Sequence, residues 1–182
     1  MIVRTTLVFL IALFLANSAV AAILPETFTL STLVGGHIFA ADQHYQPTLL
    51  RSFGIGYNLT DRAALEAVFT RTDPDGRGST SDAVVKTYRV DALYHFRPNR
   101  SLVPFLAAGF GEIIIDPDVD KRRDHWLTAI GGGLKYFLGN RVALRADLRC
   151  LFDFPKPEIN LLYSAGLEFQ LGQSASPPAP KP

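Results

Sequence analysis

Four histidines, one cysteine, an acidic triplet and a glycine triplet are the first places to look for reactivity in this chain. Nucleophilic catalysis needs a base beside an activated hydroxyl. None of His37, His44, His95 or His125 has a serine within two residues, so no acyl-transfer arrangement is predicted. His37 and His95 fall on a face expected to point into a barrel, where a histidine ordinarily satisfies a hydrogen-bond network rather than acting as a base. Asp116, Asp118 and Asp120 alternate as in a calcium loop, but Lys121 replaces the turn glycine and Leu127 the bidentate glutamate. A solvated acidic loop is the expectation. Gly131 to Gly133 lack the Lys-Ser or Lys-Thr that completes a phosphate cradle. Cys150 is read as a small hydrophobe. No catalytic, cofactor-binding or metal-binding residue is predicted, and an enzyme is not expected.

Eight charges at mid-segment remain: Glu66, Asp91, Asp147 and Glu168 against Arg89, Lys135, Arg145 and Arg149. Ions removed from water are costly unless paired and hydrogen-bonded. If one fold turns all eight toward a common space, they are expected to form a connected plug with no net charge.

The elements that would position them are strands. From about residue 28 onward, apolar residues recur at every second position, which is the strand period. In Val142 to Phe154, Val142, Leu144, Ala146, Leu148, Cys150 and Phe152 oppose Ala143, Arg145, Asp147, Arg149, Leu151 and Asp153. Tyr88 to Phe96 and Leu161 to Leu171 alternate as clearly. Phe28 to Phe39, Leu50 to Tyr57, Ala63 to Arg71, Val103 to Ile115 and Leu127 to Leu138 complete a predicted set of eight strands. Pro104 and the small residues Ala107, Ala108, Gly109 and Gly111 blur the alternation in Val103 to Ile115.

Short turns rich in Asn, Asp, Pro or Gly sit at Asn58 to Arg62, Arg97 to Ser101 and Gly139 to Arg141. Longer polar segments at 40–49, 72–83, 116–126 and, more briefly, 155–160 alternate with them. Short turns at one end and long loops at the other are the pattern of outer-membrane barrels. An even strand number puts both termini on one side, expected to be the periplasm.

The ends and the composition agree with export. Arg4, the apolar run Leu7 to Ala16 and the small residues Ala19-Val20-Ala21 read as a secretory signal peptide, residues 1–22. That run is shorter than the ~20 residues a spanning helix needs. Residues 23–172 then form one barrel domain, and the Pro-rich residues 173–182 an extended periplasmic tail. The formal net charge of +1 and the absence of a basic run longer than Lys121-Arg122-Arg123 imply neither nucleic acid nor an anionic surface as partner. One cysteine excludes an internal disulfide.

Alternation alone leaves open which face is inside, since a soluble lipocalin-like barrel binding an apolar ligand alternates too. Four features favour apolar residues outward. The polar face carries charges of both signs, and it also holds Gly54, Gly56, Gly131, Gly133 and Gly166, which suit a crowded lumen. Tyr57, Phe69, Tyr88, Tyr94, Phe96, Tyr136, Phe152, Tyr163 and Phe169 lie on the apolar face as girdles would. Strands of ~10 residues tilted by ~40° span roughly 26 Å, close to the apolar band of such barrels.

Gly54-Ile55-Gly56-Tyr57 with Leu65-Glu66, Pro104-Phe105 before Gly109-Phe110-Gly111, Gly131 to Phe137, and Leu144-Arg145-Ala146-Asp147-Leu148-Arg149 resemble, in this order, the OmpA-like family of small eight-stranded outer-membrane barrels. The resemblance covers about Phe28 to Leu171. It implies an all-β, eight-stranded antiparallel up-and-down transmembrane barrel in the bacterial outer membrane, with lipids and the barrel-assembly machinery as partners. Ser164, Gly166, Phe169 and Leu171 are similar to that machinery's recognition signal. The Pro-rich hinge of many relatives is present, while their peptidoglycan-binding domain is not, so wall anchoring is not expected. The function expected is structural or surface interaction through loops 40–49, 72–83 and 116–126, without a cofactor. A narrow ion pore and a lipid-modifying enzyme are the lesser alternatives.

Overall fold

The computed structural model describes residues 23–38, 48–72, 83–117, 123–154 and 159–172. The expected signal peptide, the Pro-rich tail, and most of the long connections lie outside the described residues. The elements are β1 (Thr27–Ile38), β2 (Thr48–Asn58), β3 (Ala63–Thr72), β4 (Ala83–His95), β5 (Leu102–Pro117), β6 (Arg123–Phe137), β7 (Val142–Asp153) and β8 (Ile159–Leu171). Each pairs antiparallel with its neighbour in sequence, and β8 pairs with β1, closing the barrel.

Strand number and order agree with the sequence pattern, but several strands run further toward the loop end. β4 begins at Ala83 rather than Tyr88, β5 reaches Pro117, and β6 begins at Arg123 rather than Leu127. The reason is visible in the register. Pairing runs unbroken from Ala83 opposite Pro117 to His95 opposite Phe105, and from Ile115 opposite Arg123 to Leu102 opposite Tyr136. Backbone hydrogen bonds hold these extensions. Val84-Val85 and Arg123-Asp124, two like residues in succession, break the alternation that would have revealed them.

Large apolar side chains face outward: Leu144 and Leu148 on β7 are about half exposed, at 47 % and 52 %, while Arg145 between them is 3 % exposed. A soluble barrel with an apolar interior is therefore set aside, because the charges occupy the inside. Outward aromatics gather in two belts. Phe28 packs on Tyr57 and Tyr94 on Phe96 at the turn end. Phe69 packs on Tyr88 and Phe110 on Trp126 toward the loop end.

The inside is layered. At the turn end Ile23, Val103, Phe137 and Ala143 form an apolar cap. Residues just before β1 help to close this mouth, with Ile23 N donating to Pro98 O at 3.0 Å and Leu24 N to Gln170 Oε1 at 2.9 Å. Toward the loop end Leu50, Ile113, Leu127, Ala129, Leu151 and Leu162 form a second cap. The ionic residues lie between the two. At the closing seam, Gly36 on β1 faces Tyr163 on β8, and a Cβ at Gly36 would run into the Tyr163 ring.

Candidate functional site in the lumen

The register puts like charges side by side. Glu66 on β3 is directly opposite Asp91 on β4, and Lys135 on β6 is directly opposite Arg145 on β7. Like charges in cross-strand pairs repel, so these groups take counter-ions from other positions, some along the wall, as Asp91 from Arg89 and Asp147 from Arg145 on the same strand, and some across the lumen, as Glu66 from Arg145.

Arg145 is the hub. Its Nη1 and Nη2 donate to Glu66 Oε1 and Oε2 at 2.7 and 2.8 Å, the bidentate fork that suits guanidinium and carboxylate. Nη1 also donates to Glu168 Oε2 at 2.9 Å, and Nη2 and Nε donate to Asp147 Oδ2 and Oδ1 at 3.0 and 3.3 Å. Glu168 takes a second bond from Lys135 Nζ at 2.7 Å, and Glu66 one from Ser31 Oγ at 2.7 Å. Arg89 Nε reaches both oxygens of Asp91, at 3.1 and 3.0 Å. Arg149 joins the two halves: its Nη2 lies 3.6 Å from Asp147 Oδ2 and 3.7 Å from Asp91 Oδ2. Those separations carry Coulomb attraction but exceed direct hydrogen-bond lengths.

All eight residues singled out from the sequence thus stand in one connected set, each at most 7 % exposed. Arg145 to Glu66 and Arg149 to Asp91 run from β7 to β3 and β4. They brace opposite walls.

Space for this set comes from residues without side-chain bulk. A Cβ at Gly54 would strike Ser31 Oγ and Glu66 Oε1, so a larger residue there would displace the groups that hold Glu66 against Arg145.

Phe105 on β5, which the sequence offered only as part of the family pattern and not as a lumen residue, lies at the centre. Its ring is 2 % exposed, with Arg145 Cζ at 5.2 Å, Lys135 Nζ at 5.5 Å and Arg149 Cζ at 5.7 Å from its centroid. The negative face of an aromatic ring attracts cations at such distances. Parity was the available signal: Phe105 shares its face with Gly109 and Gly111, and glycines mark the inward side.

His95 is buried with its ring centroid 6.2 Å from that of Phe105, and no hydroxyl bonds either ring nitrogen. His37 and His44 have side chains outside the described residues, and His125 is half-buried. Asp118 and Asp120 also fall outside. Cys150 is half-buried on the outward face of β7. On β8, Ser164 and Gly166 point inward while Phe169 and Leu171 point outward, opposite Gly35, Leu33, Leu30 and Phe28 of β1.

Comparison with known proteins places this geometry. A family model described as "Outer membrane protein beta-barrel domain" matches residues 7–173. No curated protein matches the chain by sequence. Among solved structures it is similar to Neisserial surface protein A (NspA), at 15% identity and a TM-score of 0.66 over 80% of this chain and 96% of that one. The N-terminal β-barrel domain of Pseudomonas aeruginosa OprF is similar at 22% identity and a TM-score of 0.60, over 81% and 98%. The Yersinia pestis attachment invasion locus protein Ail, in complex with the heparin analogue sucrose octasulfate, is similar at 15% identity and a TM-score of 0.55, over 80% and 97%.

Proposed function

The chain belongs to the outer-membrane β-barrel domain family, and on that footing we propose that it is a sealed, non-catalytic barrel that carries its long connections as a contact surface outside the cell. In this reading residues 1–22 are removed as a signal peptide, and residues 23–172 form the barrel. Residues 173–182 trail into the periplasm, where both termini lie. The barrel-assembly machinery takes up β8 through Ser164, Gly166, Phe169 and Leu171.

One observation carries the sealed-lumen reading: the eight ionic residues pair with one another inside the barrel, with Arg145 bound to three carboxylates at once and its fork to Glu66 crossing the lumen. An open channel would leave such groups to water and permeating ions. In a barrel of eight strands side chains fill the inside, and here apolar caps lie above and below the ions. The non-catalytic reading is supported by His95, which meets Phe105 and no hydroxyl nucleophile. Contact through the loops 40–49, 72–83 and 116–126 is supported by their joining strands of a rigid scaffold, since segments so carried commonly hold binding residues. That a barrel of this fold, Ail, takes a sulfated sugar is consistent with ligand capture on such a scaffold.

Two measurements test the proposal. Protein reconstituted in planar bilayers is expected to give no unitary conductance above the bare membrane; steady single-channel steps would refute the sealed lumen. Trypsin added to intact cells is expected to cut after Arg77, between β3 and β4; protection of that site until the outer membrane is opened would refute the orientation.

A further inference from the structure

The turn end of the barrel carries an excess of cations. Its connections and the residues before β1 hold Arg62, Arg97, Arg100 and Arg141, all exposed, against Glu26 and Asp61. Residues 1–22 and 173–182 add no aspartate or glutamate. Two of the four arginines, Arg97 and Arg100, border one hollow of about 410 Å³ together with Ser101, Leu102 and Pro104. Among the described residues neither is in an ion pair. The two carboxylates stand elsewhere on the rim: Glu26 N donates to Asn58 O beside β2, and Asp61 lies in the turn between β2 and β3. The turn that presents the arginines is fixed by its backbone, with Arg100 N donating to Arg97 O at 3.2 Å, Ile23 N to Pro98 O at 3.0 Å and Phe137 N to Ser101 O at 2.8 Å.

Leu102 also borders a second, larger hollow of about 710 Å³ on the outward wall of β5 to β8. Its rim follows the register, with Leu102 opposite Tyr136, Tyr136 opposite Leu144 and Leu144 opposite Leu167. One outward residue or ~6.8 Å further from the turn end, Ala146 stands opposite both Leu134 and Ala165, and the two alanines lower the wall. Arg145 borders this hollow too, but its guanidinium is bonded inside the lumen to Glu66, Asp147 and Glu168. No carboxylate lines either hollow. On the far side of Pro104, whose carbonyl accepts from Phe96 N, Tyr94 and Phe96 pack at 5.1 Å. Such aromatics sit at the level of lipid headgroups.

From the turn toward the middle of the wall the order is two guanidiniums, a bridging leucine and an apolar trough. We propose that this sector binds an anionic glycerophospholipid of the periplasmic leaflet, its phosphate held by Arg97 and Arg100 and one acyl chain laid over Ala146 and Ala165. Guanidinium forks match phosphate oxygens, and basic pockets at a membrane face attract anionic headgroups. Charge selects phosphatidylglycerol over phosphatidylethanolamine, whose ammonium group would face the two arginines. The choice of leaflet rests on the reading that the turn end lies in the periplasm. The chain's net charge of +1 named no such partner, because it averages this end with carboxylates in the lumen and the loops.

The test is native mass spectrometry of the purified protein in an uncharged detergent, titrated with phosphatidylglycerol and read as lipid-bound fraction. One lipid should bind saturably. R97Q/R100Q should bind roughly tenfold more weakly while keeping the heat-dependent gel shift of a folded barrel. Ala146→Phe fills the trough and leaves both arginines in place, and it should weaken binding as well. R51Q/K86Q removes two cations from β2 and β4 toward the loop end and should bind as the unmodified protein does. Undiminished binding by R97Q/R100Q or by Ala146→Phe would overturn the site, as would an equal loss in R51Q/K86Q. Phosphatidylethanolamine binding as tightly as phosphatidylglycerol would overturn the choice of lipid. The titration reads the site however the barrel sits in the cell, whereas trypsin at Arg77 reads the orientation. Absent binding with Arg77 accessible would therefore sink this site alone, and specific binding with Arg77 protected would sink the periplasmic leaflet.

Discussion

Replacing Arg145 with alanine isolates the ionic layer better than any other single change. In the intact barrel the eight charges sum to zero, and Arg145 supplies two bonds to Glu66, two to Asp147 and one to Glu168. Without it Glu168 keeps Lys135 at 2.7 Å and Asp147 keeps Arg149 at 3.6 Å, whereas Glu66 keeps only the Ser31 hydroxyl. One buried carboxylate is stranded. Breaking a buried pair from one side costs about 3–5 kcal/mol, mostly through the charge left behind. With a urea slope of ~2 kcal/mol/M, that lowers the unfolding midpoint by roughly 1.5–2.5 M. The assay is urea unfolding of the detergent-solubilised barrel, followed by the heat-dependent gel shift. Adding Glu66→Gln to Arg145→Ala removes the stranded charge and should recover part of the loss, a coupling of about 0.5–3 kcal/mol. Lys135→Met should cost less than Arg145→Ala, because Glu168 retains Arg145. An unmoved midpoint in Arg145→Ala, in an assay that detects other variants, would refute the argument that the cross-lumen pairs hold the walls together.

Leu148→Arg puts a charge near the middle of the lipid-facing wall and should destabilise the barrel by about 2–4 kcal/mol, which also supplies the sensitivity control for the urea assay. Gly54→Val should lower the midpoint, because its side chain would enter the space of Ser31 Oγ and Glu66 Oε1; combining it with Glu66→Ala should cost less than the sum of the single changes. Ile23→Ala removes the side chain packed against Val103, Phe137 and Ala143 and should cost about 2–5 kcal/mol by the cavity it leaves, measured by the same unfolding curve.

What the sequence disclosed depended on how cleanly one residue sorted from the next. On β7, leucines and arginines alternate, so both its existence and its orientation are legible. Arg145, Asp147 and Arg149 could be assigned to the lumen because a charge on a lipid-facing wall is expensive. The inward apolar residues were illegible for the converse reason. Phe105, Leu50, Ile113, Leu127 and Leu151 are chemically suited to either side, and only parity with neighbouring glycines or charges sorts them. The alignment of Arg51 opposite Arg71 and of Arg71 opposite Lys86 was out of reach altogether, since it exists only once β2, β3 and β4 are paired in register. Loop-end boundaries slipped where two like residues in succession, Val84-Val85 and Arg123-Asp124, interrupted the period while the ladder continued.

The meeting of Gly36 with Tyr163 has a bearing on how the molecule is made. Every other strand pair joins neighbours in sequence, but β1 and β8 come from the two ends of the barrel, so their pairing closes the longest loop and bears the greatest entropic cost. Until they meet, two rows of amide and carbonyl groups lack partners, which hydrocarbon cannot tolerate. Zipping and insertion are therefore coupled events. A bare glycine that leaves room for the tyrosine ring beside it lets these two strands approach without a clash, a keyway cut for the last piece to slide home.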